Sequence, residues 1–401
     1  MRLDSPNDIN QGILHKLGLV SDVGNNSVKK YVIKWADGTF RWIFSIRAGQ
    51  PGYLAFQSVL SFRAHILKKL VILRGYLPKG SLLGFMVTEL SVIPGGLLYL
   101  SVLKVKADDW DIFAGSPGIK RNLVVALLRN SVVVGYLKVR LYDSDIELND
   151  RRSDYFIDEF EAYQFISSLG LTKTLIPNVA LVGEGIVMSS LNGRQLCLHK
   201  DSVLIGGALK EILVKTAFKI RLGDYLNQKG ITNRLDRIAV AQPKDRLFLK
   251  REVVGITDSL KKRISHLDYQ SEIILGFSMI DFTIWNGFKI GGKMGLIDVE
   301  FCEKNVSLAY DLIHFIWQSK VMLGFENNAQ QMRSLCEEVI LPKIIEVFGI
   351  SESEARMYLD FYLVQSTLRA LELYVEQENL HKQGLLQIKL WLDLDNIWVC
   401  S

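Results

Sequence analysis

The apolar positions along the chain change their period near its middle. Early on, short runs rich in aromatic and β-branched residues read as strands, Tyr31-Val32-Ile33-Lys34-Trp35 and Phe40-Arg41-Trp42-Ile43-Phe44, with one helical stretch predicted near Phe56–Leu73. Two valine-rich runs, Leu123–Leu128 and Val132–Val139, are parted by Arg129-Asn130-Ser131 and predict a β-hairpin. From Asp154 to Leu169, Phe156, Phe160, Tyr163 and Ile166 recur at helical spacing. Short strands are expected around Val179–Val182 and Gly185–Ser189. Beyond about residue 205 the period is helical, interrupted by a strand-and-loop region at 273–301. Ser351 and Glu354 make a Ser-x-x-Glu capping box that opens a helix running toward Glu376. A β-rich piece followed by a helix-rich piece is α+β in texture, without the βαβ alternation of a parallel sheet. No period of 20–50 residues repeats, which argues against a solenoid.

Composition narrows the class. The chain has 401 residues, 49% of them hydrophobic, which excludes a disordered polymer. Its mean hydropathy of +0.16 raises the question of a membrane. The uncharged run in the most apolar region, Leu90–Leu103, is interrupted by Pro94-Gly95-Gly96 and falls short of the roughly 20 residues a spanning helix needs. The first residues, MRLDSPNDIN, lack the basic and apolar regions of a signal peptide. A soluble cytoplasmic protein is expected, able at most to sit peripherally on a membrane. Cys197, Cys302, Cys336 and Cys400 are far apart and form no metal or disulfide pattern, as suits a reducing compartment.

Charge divides the chain. Residues 1–107 hold 14 Lys/Arg and 5 Asp/Glu, a net +9, and the remainder holds 34 and 38, a net −4. Three parts are expected: a basic N-terminal accessory domain of α/β texture at 1–107, a β-rich lobe at 108–192 and a helical lobe at 193–401. The basic part reads either as a solvated face or as a dock for an anionic membrane surface or a polyanionic glycan, with Trp35, Arg41, Trp42, Arg47, Lys68, Lys69 and Arg74 supplying charge and aromatics. Nucleic acid is the least favoured partner, because no helix-turn-helix, RRM or zinc-finger pattern is present.

The chemistry-bearing segment is 276–315, GFSMIDFTIWNGFKIGGKMGLIDVEFCEKNVSLAYDLIHF. Asp281 precedes Asn286 in a D-x-x-x-x-N pattern, and Asp298 follows the apolar strand Met294-Gly295-Leu296-Ile297, with a Gly291-Gly292 hairpin turn between them. Phosphoryl transfer from ATP needs this set. One carboxylate orients the acceptor hydroxyl and takes its proton, while a second carboxylate and an amide oxygen hold Mg²⁺ against the phosphates.

This segment resembles the catalytic block of aminoglycoside phosphotransferase and choline kinase-like enzymes, which share the protein-kinase fold, and is similar to members associated with bacterial polysaccharide loci. The family's H-G-D-F-x-x-W-N matches Asp281-Phe282-Thr283-Ile284-Trp285-Asn286 from the aspartate onward. Its I-D-W-E matches Ile297-Asp298-Val299-Glu300, and its D-L pair matches Asp311-Leu312. The resemblance implies Asp281 as catalytic base, Asn286 and Asp298 as Mg²⁺ ligands, ATP as phosphate donor and Asp311 as a structural residue. It implies a two-lobed fold, with a β-rich small lobe and a helical large lobe. The family's His-Gly is Met279-Ile280 here.

Upstream residues are read against the same pattern. The turn at Gly115, Ser116 and Gly118 is either a phosphate-covering loop or an ordinary β-turn. Lys138 lies on an apolar strand, either on a solvated edge or directed at phosphate, with Glu159 or Glu161 as partner; Glu159 fits the spacing of Tyr163 and Ile166 better. Val187–Leu191 is expected as the strand that meets the adenine. The 12 positions from Asp298 to Tyr310 leave little room for an activation loop and favour a small-molecule or sugar acceptor over a protein. The acceptor pocket is expected from the helices after Asp311, where Glu372 and Glu376 read either as solvated charges or as contacts to a cationic substrate. The alternative is a pseudoenzyme that binds nucleotide or a partner without transfer.

Overall fold

The computed structural model describes all but residues 1–4, 22–26, 48–49, 57–61, 77–86, 116–120, 142–154, 242–247, 249, 322–327, 377–383 and 392–401. The chain is α+β and divides into two compact units, one of residues 1–164 and 177–191, the other of 165–176 and 192–401.

In the first unit, helix α1 (Pro6–Leu17) opens on a capping box between Ser5 and Asp8 with Pro6 in its first turn. Strands β1 (Val20–Ser21), β2 (Val28–Lys34) and β3 (Phe40–Phe44) follow, then the short pair β4 (Ile46–Arg47) and β5 (Gln50–Pro51) and helix α2 (Phe62–Tyr76). Next come β6 (Thr88–Ile93), helix α3 (Gly96–Val105), β7 (Asp109–Phe113), β8 (Asn122–Arg129), β9 (Val132–Arg140) and helix α4 (Tyr155–Ser168), whose residues from Phe165 onward count with the other unit. After β10 (Thr174–Leu175) of the other unit, β11 (Val179–Val182) and β12 (Gly185–Ser189) complete the set. Nine of these strands form one sheet, in the order β1-β6-β2-β3-β7-β8-β9-β12-β11. Every pairing in it is antiparallel.

The sheet buries both faces, and side-chain alternation sorts the core accordingly. Val32, Ile43, Ile112 and Val125 join Ile13, Leu14 and Leu17 of α1 and Leu98 of α3 in one cluster. Ile33, Trp42 and Phe44 join Tyr53 of the 3₁₀ turn Gly52–Ala55 and Val71 of α2 in the other. The apolar run Leu90–Leu103 is thus the end of a strand and the start of a helix, turned at Gly95-Gly96. A Cβ on Gly18 would stand 2.6 Å from the Gly95 carbonyl oxygen, so this close approach requires glycine. Among the described residues no helix is long and apolar enough to cross a membrane.

Hydrogen bonding runs through residue 107 without a break. Trp42 and Ile43 of β3 pair with Phe113 and Ile112 of β7. The expected 123–128/132–139 hairpin is β8–β9, turning at Asn130 and Ser131 with φ of 50° and 66°.

The second unit holds the rest. In chain order these are helix α5 (Leu198–Thr216) after β13 (Arg194–Gln195), then β14 (Phe218–Arg221), α6 (Leu222–Gln228), α7 (Ile231–Val240) and α8 (Lys250–Ser265). Strands β15 (Glu272–Ser278), β16 (Gly287–Ile290), β17 (Lys293–Leu296) and β18 (Glu303–Ser307) follow. The chain continues through α9 (Tyr310–Val321), α10 (Ala329–Ser334), a π-helical turn at Leu335–Ile340, α11 (Leu341–Phe348) and α12 (Glu352–Glu376). Two small sheets, β14-β15-β18 and β10-β17-β16-β13, sit within this helical unit. At the start of α12 the Ser351 N–H donates to Glu354 (2.9 Å) and the Glu354 N–H to Ser351 Oγ (3.3 Å), the expected capping box. Asp201 on α5 takes a bidentate pair of hydrogen bonds from Arg194 (2.7 and 2.6 Å), which pulls its pKa down to about 2 and ties α5 to β13.

One buried ion network ties strands from both sides of residue 107. Lys30 on β2, with no exposed side-chain surface, donates to Asp109 Oδ1 (2.6 Å), Ser45 Oγ (2.9 Å) and the Trp110 carbonyl. Arg47 bridges the same Asp109 (2.6 Å) and the fully buried Asp111 (2.5 and 2.9 Å). Removing one member of a buried charge set leaves the others uncompensated. Lys30→Met is expected to lower unfolding free energy by about 3 kcal/mol, read in denaturant titrations; a loss near zero would contradict it.

Candidate active site

Strand β15 delivers the chain to Ser278, and the next three residues form a tight, strained corner. The Asp281 N–H donates to the Met279 carbonyl two residues back (2.7 Å), a γ-turn whose centre, Ile280, has φ of 65°. A β-branched residue in that region is an outlier that costs on the order of 1–3 kcal/mol. This is the position at which the resembled family carries glycine.

Asp311, in the first turn of α9, holds the corner. Its carboxylate accepts from Ser278 Oγ (2.7 Å), from the Met279 N–H (3.0 Å) and from the Ile280 N–H (3.1 Å), and Asp311 itself is 7% exposed. Burial pushes its pKa above the ordinary carboxylate value, while these three donors favour the ionised form. Phe282, directly after the corner, stacks on Phe315 of α9 with centroids 4.9 Å apart.

The corner leaves Asp281 with 42% of its side chain exposed. Asn286 is buried, and its Nδ2 donates to the Asp281 carbonyl (3.0 Å) and stands 3.4 Å from Asp281 Oδ2. That commits the amide nitrogen, so the amide oxygen is the atom of this side chain able to face a cation. The Ile297 N–H then donates to the Asn286 carbonyl (3.1 Å), so the loop is laced to the end of β17. Strands β16 and β17 pair across Gly291 and Gly292, whose φ of 51° and 84° fit a two-residue hairpin turn. Asp298 follows β17 with φ of 60°, a left-handed conformation that aspartate tolerates better than most residues. Asp281, Asn286 and Asp298 are therefore set by one strand-loop-hairpin within the second unit.

In the first unit, Lys138 on β9 and Glu159 on α4 meet, with Nζ 3.1 Å from Oε2 and side chains 7% and 0% exposed. Glu161 is exposed. Gly115, two residues past β7, has φ of 58°, and its carbonyl accepts from Trp35 Nε1 (3.0 Å). Ser116 and Gly118 lie outside the described residues. Val187 and Met188 of β12 pair with Leu137 and Tyr136 of β9. Glu372 is held by Arg234 through two hydrogen bonds (2.7 and 2.6 Å), and the Glu376 side chain lies outside the description.

One residue of this site was not singled out from the sequence. His314 on α9 places Nε2 3.5 Å from Asp281 Oδ1. Its signal is helical spacing: three residues after Asp311, it falls on the same side of α9.

Truncating Asp311 strands the Met279 N–H and the Ser278 hydroxyl hydrogen, and leaves the Ile280 N–H only Ser278 Oγ (3.1 Å), around a strained corner. Asp311→Ala is expected to cost roughly 2–4 kcal/mol of unfolding free energy, and Asp311→Asn, which keeps one acceptor, distinctly less. Denaturant midpoints for the two variants check the order.

No protein-family model matches the chain, and comparison with curated proteins finds no match. Among solved structures, the chain is similar to a thermostable mutant of the aminoglycoside phosphotransferase APH(4)-Ia in its apo form, with a TM-score of 0.47, 13% identity, and 76% of this chain and 99% of that one covered. It is similar to APH(2")-IIa in a ternary complex with streptomycin and ATP, with a TM-score of 0.45, 14% identity and coverage of 70% and 90%. It is also similar to an ethanolamine kinase from Plasmodium vivax, with a TM-score of 0.44, 13% identity and coverage of 71% and 81%. All three are small-molecule kinases by name.

Proposed function

We propose that the protein is an ATP-dependent phosphotransferase that moves the γ-phosphate to a hydroxyl of a small molecule or sugar. The observation that carries this reading is the Asp281 corner: a carboxylate kept open to solvent at 42% exposure, on a backbone pinned by Asp311, beside a buried Asn286. The Asn286 amide oxygen and the Asp298 carboxylate are hard oxygen donors of the kind Mg²⁺ takes. Bound Mg²⁺·ATP would supply the transferable phosphoryl group and neutralise its charge. In this reading Asp281 accepts the proton of the acceptor hydroxyl as the new O–P bond forms, the bond from the γ-phosphorus to its bridging oxygen breaks, and ADP leaves. Lys138 serves the phosphates, kept in place by Glu159, and the Gly115–Gly118 turn covers them. The stretch between Asp298 and Tyr310 is occupied by β18, which pairs with β15, and this supports a small acceptor over a protein. A sugar of surface-polysaccharide metabolism is the acceptor class that the sequence resemblance favours.

ADP release with Mg²⁺·ATP and a panel of sugars and amino alcohols tests the reading. Asp281→Asn is expected to lower turnover by about 10²–10⁴-fold with its unfolding midpoint preserved. Undiminished turnover in that variant would remove Asp281 from the reaction. A wild type that binds Mg²⁺·ATP yet releases no ADP with any acceptor would favour the pseudoenzyme reading.

We also propose that residues 1–107 are an accessory region built onto the small-lobe sheet, and that this region docks on an anionic membrane surface. Residues 38–88 contain seven Lys/Arg and no Asp/Glu. On α2, Ile66 (43%) and Leu73 (49%) are exposed on the same helical arc as the exposed Lys69, opposite the buried Val71. A basic helix with outward apolar residues suits the interface of an anionic bilayer. The full-length protein is expected to sediment with phosphatidylserine vesicles and not with neutral ones, and Lys68→Glu/Lys69→Glu to weaken that binding at least fivefold. Binding to a polyanionic glycan with no response to vesicles would replace the membrane as the partner.

A further inference from the structure

His314 carries a contradiction that the fold does not resolve by itself. The residue is 9% exposed, yet its Nε2 is buried without a hydrogen-bond partner. A buried polar atom left unmade costs free energy and calls for an explanation. What that nitrogen faces is Asp281 Oδ1 at 3.5 Å, just beyond good hydrogen-bonding distance. On the other side of the ring, Nδ1 stands 3.1 Å from the Tyr362 hydroxyl. Tyr310 lies nearly parallel to the imidazole at 6.0 Å, and the Asp311 carboxylate also interacts with His314 electrostatically.

The tautomer follows from this surrounding. A carboxylate only accepts, so a nitrogen aimed at Asp281 must carry a hydrogen. Neutral imidazole has one N–H, so Nδ1 is then the acceptor and Tyr362 the donor. Burial holds the Tyr362 phenol well above its ordinary pKa, so it keeps the proton it donates. At the place where the resembled family has a histidine two residues before its catalytic aspartate, Met279 is 3% exposed, and its thioether side chain has no N–H or O–H to donate to the Asp281 carboxylate.

We propose that His314 is the positioning residue of Asp281: Tyr362 fixes its tautomer, its Nε2–H anchors Oδ1, and Oδ2 is thereby presented to the acceptor hydroxyl. This rests on the phosphotransferase reading. The orienting hydrogen bond comes from α9, the helix whose Asp311 already pins the backbone under Asp281, so carboxylate and backbone are referred to one rigid element. The separation of 3.5 Å closes to a hydrogen bond when an acceptor hydroxyl is in place, since catalytic hydrogen bonds tighten in the bound complex.

Three variants of the full chain test it: His314→Ala, His314→Gln and Tyr362→Phe. His314→Ala is expected to lower kcat by about 10²-fold with the KM for ATP unchanged within twofold, as for a misplaced catalytic group. His314→Gln, whose amide nitrogen reaches the place of Nε2, recovers most of that loss, and Tyr362→Phe falls between. Full kcat in His314→Ala, or equal loss in the alanine and glutamine variants, overturns the proposal. A second readout does not need turnover. Ring ¹⁵N resonances of the nucleotide-free protein are expected to show His314 Nε2 protonated and to shift in Asp281→Asn. An unprotonated Nε2 overturns the proposal. A wild type with the expected ring spectrum and no ADP release supports the positioning geometry and counts against the phosphotransferase reading alone.

Discussion

The Asp311 carboxylate binds the corner at Ile280, and the geometry of the whole candidate site descends from that contact. A chain leaving β15 would not of its own accord place a β-branched residue at φ of 65°. Two backbone N–H groups and the Ser278 hydroxyl, all buried, converge on one carboxylate, and together they offset a local strain on the order of 1–3 kcal/mol. Because the strain is confined to one residue, the next one, Asp281, emerges in a fixed direction. Asn286 then reads that direction through the Asp281 carbonyl, and Ile297 reads Asn286. Each hydrogen bond positions the donor or acceptor of the following one. The site is therefore a chain of backbone constraints with two carboxylates and an amide as its outputs.

Those parts were legible in the sequence to the degree that they are local. The D-x-x-x-x-N spacing, the Gly291-Gly292 turn and the Ser351–Glu354 cap each span at most a few residues, and residue chemistry over such a span fixes geometry nearly alone. Lys138 and Glu159 are 21 positions apart, and strand and helix patterning still limited the partner to two residues on one turn of helix. His314 and Asp281 are farther apart, and their meeting depends on how α9 lies against the loop. Nothing in the run Tyr310-Asp311-Leu312-Ile313-His314 marks that histidine as different from a buried core residue. The Lys30 network was illegible for the same reason: Lys30 and Asp109 are 79 positions apart and only the sheet brings them together.

Charge statistics and hydrogen bonding divide the chain differently. The break in charge falls near residue 107, but β3 and β7 pair across it, and the strands on both sides lie in one sheet. Charge reports what a surface meets, whereas a sheet is specified by alternation and by the faces it must bury. Both hold at once: a region carries its own surface chemistry while sharing its backbone ladder and core with its neighbour. Val32 and Ile43 from before the break pack in one cluster with Ile112 and Val125 from after it.

That shared sheet poses a problem of register, and the Lys30 network bears on it. In an antiparallel sheet buried on both faces, a one-residue slip exchanges two apolar faces and costs little in hydrophobic terms, so alternation alone specifies register weakly. A buried charge set does not tolerate the exchange. Slipping β2 by one residue would carry Lys30 to the opposite face, away from Asp109, and leave the fully buried Asp111 and its Arg47 without their third partner. Desolvating these charges contributes little net stability even when all are paired. Their effect lies in the gap they open between the observed pairing and the slipped one, which is where a sheet apolar on both faces needs it.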